Sequence, residues 1–115
     1  MLIKALQGDY TTYWSSSPLP MCMSWWTVAK KNGGAIASTG CTGYGLGGGE
    51  PIARNSEMEV NLFEKYAVDG LDNLGEAFGA GITKFINEND IRREEAHAIT
   101  VFELFGDPSL KLGGY

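Results

Sequence analysis

The chain has 115 residues, enough for one domain at most, and its 43% hydrophobic and 20% charged content is ordinary for a soluble globular protein. Residues 1–49 carry three lysines against one aspartate, whereas residues 50–115 carry six basic against thirteen acidic groups, for a net charge of −5. That balance excludes the clustered Lys and Arg that nucleic-acid backbones require, no apolar run is long enough to span a bilayer, and no secretory signal is expected at the N-terminus.

The first 19 residues read as a poorly defined segment. Leu2, Ile3, Ala5 and Leu6 fit the end of a helix stopped at Gly8, and the run SSSPLP ending at Pro20 is a loop by its breakers. Pro20 suits the first turn of a helix over residues 21–30. Trp25 and Trp26 point to adjacent faces of that helix, which predicts packing on more than one side. Asn32, Gly33 and Gly34 end it. Residues 34–39 are small, uncharged and bounded by glycines, which predicts a strand covered on both faces.

A glycine-rich loop then runs from Gly40 to Pro51. Residues 32–49 hold 8 of the 16 glycines in the chain. In α/β sheets the space beyond the carboxyl end of a strand is where ligands bind, and glycine lets another backbone come close. Ser56 with Glu59 has the capping-box spacing for a second helix, in which Met58, Leu62 and Tyr66 form an apolar stripe. Asp69 and Gly70 end it.

Asp72 or Asn73 caps a third helix, with Leu74, Phe78, Ile82 and Ile86 as its stripe and Ala77 and Phe85 beside it. Gly75 and Gly79 lie one turn apart on its surface. A helical glycine costs roughly 1 kcal/mol against alanine, so both predict a close neighbour. Residues 92–105 read as a fourth helical segment with Ile99, Phe102 and Phe105 inward. Gly106, Asp107 and Pro108 make a turn, and residues 109–112 fit a last short strand. Three or four helices with only two strands make an awkward ratio, because two strands form a poor sheet. The pattern predicts one partial α/β domain over residues 1–115, with further strands supplied elsewhere.

Three segments, LPMCMSWWTVAKKNGGAIASTGCTGYG, LGEAFGAGITKFI and TVFELFGDPSLKLGGY, follow one another at a spacing that resembles the C-terminal part of the gingipain-like cysteine peptidases. The resemblance covers roughly residues 18 to 115, and its main elements are the GGAIA strand, the LGEA helix start and the GDPSL turn. It implies a C-terminal fragment of a caspase-like, three-layer αβα sandwich. It also implies a cysteine endopeptidase whose catalytic Cys/His dyad lies upstream of the matching segment, so that no residue here is catalytic. Family members are usually secreted or at the cell surface.

What the resemblance assigns to this segment is a wall of the substrate pocket, formed by Thr39, Gly40, Cys41, Thr42, Gly43 and Tyr44. Backbone groups at the strand end would pair with an extended peptide, and the Tyr44 ring would cover an aliphatic or basic side chain. No acidic residue that would select Arg or Lys is identified, and Glu50, inside that loop, is the candidate for it. The partners implied are a peptide or protein substrate and a missing N-terminal half or a second copy, with no cofactor and no metal. Cys22 and Cys41 permit one disulfide and, with the single His97, form no zinc spacing. Cys41, at a strand tip before glycines, resembles a nucleophile in position, but a small residue at a strand-to-loop turn is the simpler expectation. His97 is expected as a helix-face histidine.

Two rivals stay open. Gly43, Gly45 and Gly48 formally match the dinucleotide fingerprint GxGxxG, yet that motif should open directly into a helix, and here it runs into Gly49, Glu50 and Pro51. Alternatively, the chain is a non-catalytic structural or interaction module, because three tryptophans and a sheet of few strands predict exposed apolar surface that a partner covers.

Overall fold

A computed structural model describes residues 4–5, 22–42, 45 and 54–114. In chain order the elements are β1 (Lys4–Ala5), α1 (Met23–Ala29), β2 (Ala37–Cys41), α2 (Arg54–Ala67), α3 (Leu74–Glu88), α4 (Arg93–Val101) and β3 (Phe102–Gly106). The sheet has the order β1-β2-β3, with β1 parallel and β3 antiparallel to β2. Pairing runs from Lys4↔Ser38 to Ala5↔Thr39 on one side of β2, and from Ala37↔Gly106 to Cys41↔Phe102 on the other.

The result is three layers. Helix α1 lies on one face, where the Ser24 hydroxyl donates to the Thr39 carbonyl at 3.3 Å and the Trp25 ring meets Phe105 edge-on at 6.5 Å. The other face carries two apolar clusters. Cys41, Met58, Phe85, Ala98 and Phe102 form one, and Ala37, Leu74, Ala77 and Leu112 form the other. Alternation along a strand explains the split: Ala37 and Cys41 point to the α2/α3 side, and Phe102 and Phe105, an odd number of residues apart, point to opposite faces. All five residues of β2 are buried, as expected of a strand covered on both faces.

Several expectations need correction. Within the segment read as a helix end, Lys4–Ala5 pairs as a strand with β2, a distinction that so short an apolar stretch cannot make; Leu2, Ile3 and Leu6 lie outside the described residues. Pro20 lies outside the described residues. The central strand starts at Ala37 rather than residue 34 and extends to Cys41. Gly33 and Gly34 instead have φ of 158° and 109°, and Gly34 lies against the Thr27 carbonyl, which accepts the Ala35 N–H at 3.0 Å. These two glycines close α1. Among the described residues α1 packs on one side only: Ser24 is its one buried residue, and Trp25 and Trp26 are 45% and 56% exposed.

Helix α2 starts at Arg54, so Ser56 is inside the helix and the capping box with Glu59 does not form. The stripe of Met58 and Leu62 is buried and Tyr66 partly so, as the spacing predicts. In α3 the cap is Asn73, whose side-chain oxygen accepts the Glu76 N–H at 3.1 Å. Its buried face is Leu74, Ala77, Gly81 and Phe85, with Phe78 and Ile82 partly buried beside it and Ile86 exposed. The fourth helix ends at Val101, and residues 102–106 are a strand; pairing with β2 overrides their helical spacing. Residues 109–112 are not a strand but a turn with a single bridge, Asn73↔Lys111. The turn at Asp107 forms as expected, its carboxylate accepting the Ser109 N–H at 2.8 Å and hydroxyl at 2.7 Å.

Candidate functional site at the carboxyl end of β2

Because β1 and β2 are parallel, their carboxyl ends share one edge of the sheet. Since β3 is antiparallel, its first residue, Phe102, stands at that same edge, and so does the C-terminus of α4 that leads into it. The start of α2 completes the group.

The last four carbonyls of a helix have no partner within it. In α4 the Ile99 carbonyl accepts the Phe102 N–H. The Val101 carbonyl accepts both the N–H of Thr42, at 2.7 Å, and its hydroxyl, at 3.3 Å. The Ala98 carbonyl accepts from the side-chain amide of Asn55 at 3.1 Å. Gly45 fits against this group: a Cβ there would lie 3.1 Å from Cys41 Sγ and 3.5 Å from Asn55 Oδ1.

One turn earlier in α4, the buried Glu95 closes the helix start. Its carboxylate accepts the Arg92 N–H at 3.1 Å and the Arg54 guanidinium at 2.7 Å. The N–H of Glu95 itself, then those of Arg92 and Arg54, hold its carboxyl below the usual range against the opposing effect of burial. A cleft of about 420 Å³ lies beside this ion pair, lined by Arg54, Asp90, Arg92, Arg93, Glu94 and Glu95. Four of its six charges are paired, Arg54 with Glu95 and Arg92 with Asp90 at 2.8 Å, and its three basic and three acidic groups balance in sign.

Of the six residues expected to line a substrate site, Thr39, Gly40 and Cys41 are buried in β2 and Thr42 is exposed at its end. Gly43 and Tyr44 lie outside the described residues, as does Glu50. Cys41 is only 6% exposed and packs with Met58, Phe85, Ala98 and Phe102. Cys22 and Cys41 are both thiols, with no disulfide among the described residues. His97 is exposed on α4. Gly45 is the one described residue of the formal GxGxxG match, and the next helix among the described residues, α2, begins at Arg54. Asn55 had no signal in the sequence, because its partner Ala98 is 43 residues away.

A family model matches nearly the whole chain, from before β2 to the residues after β3. The model for Peptidase family C25 covers residues 9–113. The chain belongs to this family. Comparison with curated proteins and with solved structures found no match. Family C25 is the gingipain family, so the chain is an α/β part of a cysteine peptidase domain. No helix among the described residues is long and apolar enough to cross a membrane.

Proposed function

We propose that this chain supplies one wall of the substrate site of a caspase-like C25 endopeptidase domain, and that it does not cleave peptide bonds by itself. The observation that carries this is the register of β2. On the β3 side, β2 is paired along its whole length from Ala37 to Cys41, and among the described residues its other side pairs with β1 at Ser38 and Thr39. Gly40 and Cys41 end the strand at the carboxyl edge, beside Phe102 and the Val101 end of α4. An extended peptide would pair its main chain there, with Thr42 and Gly43 at the turn and Tyr44 over a substrate side chain. Thr39 and Cys41 act through their backbones, since their side chains are buried, and Gly40 has only its backbone to offer.

In the whole domain a thiolate sulfur would attack the scissile carbonyl carbon, a histidine imidazolium would give its proton to the amine as the C–N bond breaks, and water, losing a proton to the imidazole, would then hydrolyse the thioester. Backbone N–H groups stabilise the oxyanion. Both catalytic residues belong to the part of the domain upstream. Cys41 is not the nucleophile: at 6% exposure its thiol is part of the core, whereas a reactive cysteine must be accessible. Incubating the chain with Arg, Lys and aliphatic reporter peptides should give no hydrolysis, and hydrolysis abolished by Cys41→Ala would overturn this assignment.

A second role, as an interaction module, is favoured by one observation. Met23, Trp25, Trp26 and Ile36 are each 45–56% exposed around α1, which is unusual for large apolar side chains. In that case light scattering should detect self-association that Trp26→Ser reduces; a stable monomer counts against it.

A further inference from the structure

We propose that Asn32 is a site of self-modification, at which the side-chain amide cyclises with the Gly33 main-chain nitrogen and the residue becomes aspartate or isoaspartate. The proposal is independent of the peptide-wall reading. Asn32 and Gly33 are exposed in the turn between α1 and β2. Asn32 has φ of 63°, a left-handed value that no other non-glycine adopts among the described residues. Gly33 has no side chain to shield its nitrogen, and a Cβ there would meet nothing within 4 Å. Among the described residues no hydrogen bond restrains the Asn32 side chain or the Gly33 N–H. Exposed Lys30 and Lys31 stand just before the pair, and cations there favour the anionic nitrogen that attacks and the carboxylate that results. The other five asparagines are restrained. Asn55 and Asn61 are only 7% and 4% exposed, and the Asn55 amide is bound to the Ala98 carbonyl. The Asn73 oxygen caps α3, and the N–H that follows it, of Leu74, donates to the Leu110 carbonyl at 2.9 Å. The Asn89 amide donates to Glu57 and to the Phe85 carbonyl, each at 2.9 Å. Asn87 lies inside α3, where main-chain N–H groups are bonded within the helix.

The reaction needs only water. The Gly33 nitrogen gives up its proton and bonds to Asn32 Cγ, the Cγ–Nδ2 bond breaks, and the nitrogen takes up a proton and leaves as ammonia. Water then opens the cyclic imide. Attack at Cγ gives aspartate; attack at the main-chain carbonyl gives isoaspartate, in which the main chain runs through Cβ and Cγ. Isoaspartate therefore adds a carbon to the short link between the end of α1 at Ala29 and the start of β2 at Ala37. In that link the Ala35 N–H donates to the Thr27 carbonyl at 3.0 Å, and Gly34 lies against the same carbonyl. The longer chain loosens this closure of α1.

Incubation of the intact chain in mildly alkaline buffer, followed by peptide mapping with mass spectrometry, tests this. Exchange of the amide nitrogen for oxygen should appear at Asn32 about tenfold faster than at any other asparagine. That is a barrier difference of about 1.4 kcal/mol, the order of one hydrogen bond that must first break elsewhere. The rate should also lie within about tenfold of that of the free peptide KKNGGAI. Earlier conversion at another asparagine, or a greater slowing relative to the peptide, would overturn the proposal, because the fold would then protect the turn. Hydrogen exchange at the Ala35 amide separates length from charge. It should speed by about tenfold in the isoaspartate form and stay within about twofold of the unmodified chain in Asn32→Asp. Equal exchange in all three forms would contradict the loosening of α1.

Discussion

Thr42 and Val101, 59 residues apart in sequence, meet at one carbonyl: the Val101 oxygen accepts the Thr42 N–H at 2.7 Å and its hydroxyl at 3.3 Å. The contact joins the end of the central strand to the end of α4 and fixes where the glycine-rich loop begins. The two donors are unequal. Thr42→Val removes the longer, exposed one and should cost less than about 0.5 kcal/mol. Thr42→Pro removes the backbone donor and should cost about 1–3 kcal/mol. Urea unfolding of both variants checks the ranking, and equal costs would mean the backbone bond matters no more than the hydroxyl.

Three glycines of α3 should respond differently to alanine. At Gly81 a Cβ would lie 2.9 Å from the Leu62 backbone nitrogen and 3.1 Å from its Cα, so α2 and α3 must separate. At Gly75 it would lie 2.8 Å from Pro108 Cβ and 3.0 Å from the Pro108 carbonyl oxygen, which accepts the Gly75 N–H at 2.8 Å. Each of these alanines should destabilise by about 1–3 kcal/mol. Gly79 has nothing within 4 Å of its added Cβ, so Gly79→Ala should stabilise by roughly 0.5–1 kcal/mol through helix propensity. Thermal melts of the three variants give the test; a stabilising Gly81→Ala would contradict the close approach of α2.

Glu59 should make stability fall as pH rises. Burial pushes its carboxyl above 4.5, and its Oε1 is buried with no hydrogen-bond partner. The fold therefore favours the protonated form. The favourable contribution is complete below the unfolded value near 4.5 and is lost as pH rises through the higher folded value. Glu59→Gln should raise the melting temperature at about pH 7 and leave it nearly unchanged at about pH 4. A larger gain at the acid end would mean that Glu59 is stabilised as a carboxylate.

Phe85 is fully buried between the sheet and α2, and Phe85→Ala should cost about 3–5 kcal/mol. Against the 5–15 kcal/mol typical of a small domain, that loss should leave much of the chain unfolded, as judged by circular dichroism. A small change would show that the cluster with Met58 and Phe102 repacks around the gap.

Much of this architecture was legible where local chemistry decides it. The Asn73 cap, the Met58 and Leu62 stripe and the Asp107 turn each depend on residues within a few positions of one another. What was not legible depends on distant partners. Residues 102–106 have helical spacing, but five pairings with β2 make them a strand. Gly81 gave no sign that the Leu62 backbone lies against it. The site divides in the same way: a glycine-rich exit from a buried strand could be read at once, whereas the bonds that Asn55 and Thr42 make to α4 depend on residues some forty to sixty positions later.

Binding of an extended peptide at the carboxyl edge of β2, as proposed, is tested most directly by mapping amide resonances during titration with an end-blocked hexapeptide that has a central lysine. Saturable shifts confined to Gly40, Cys41, Thr42 and their neighbours, with the peptide recovered uncleaved, are the predicted result. Shifts centred on the cleft of Arg54, Arg93 and Glu95, or none at all, would contradict it.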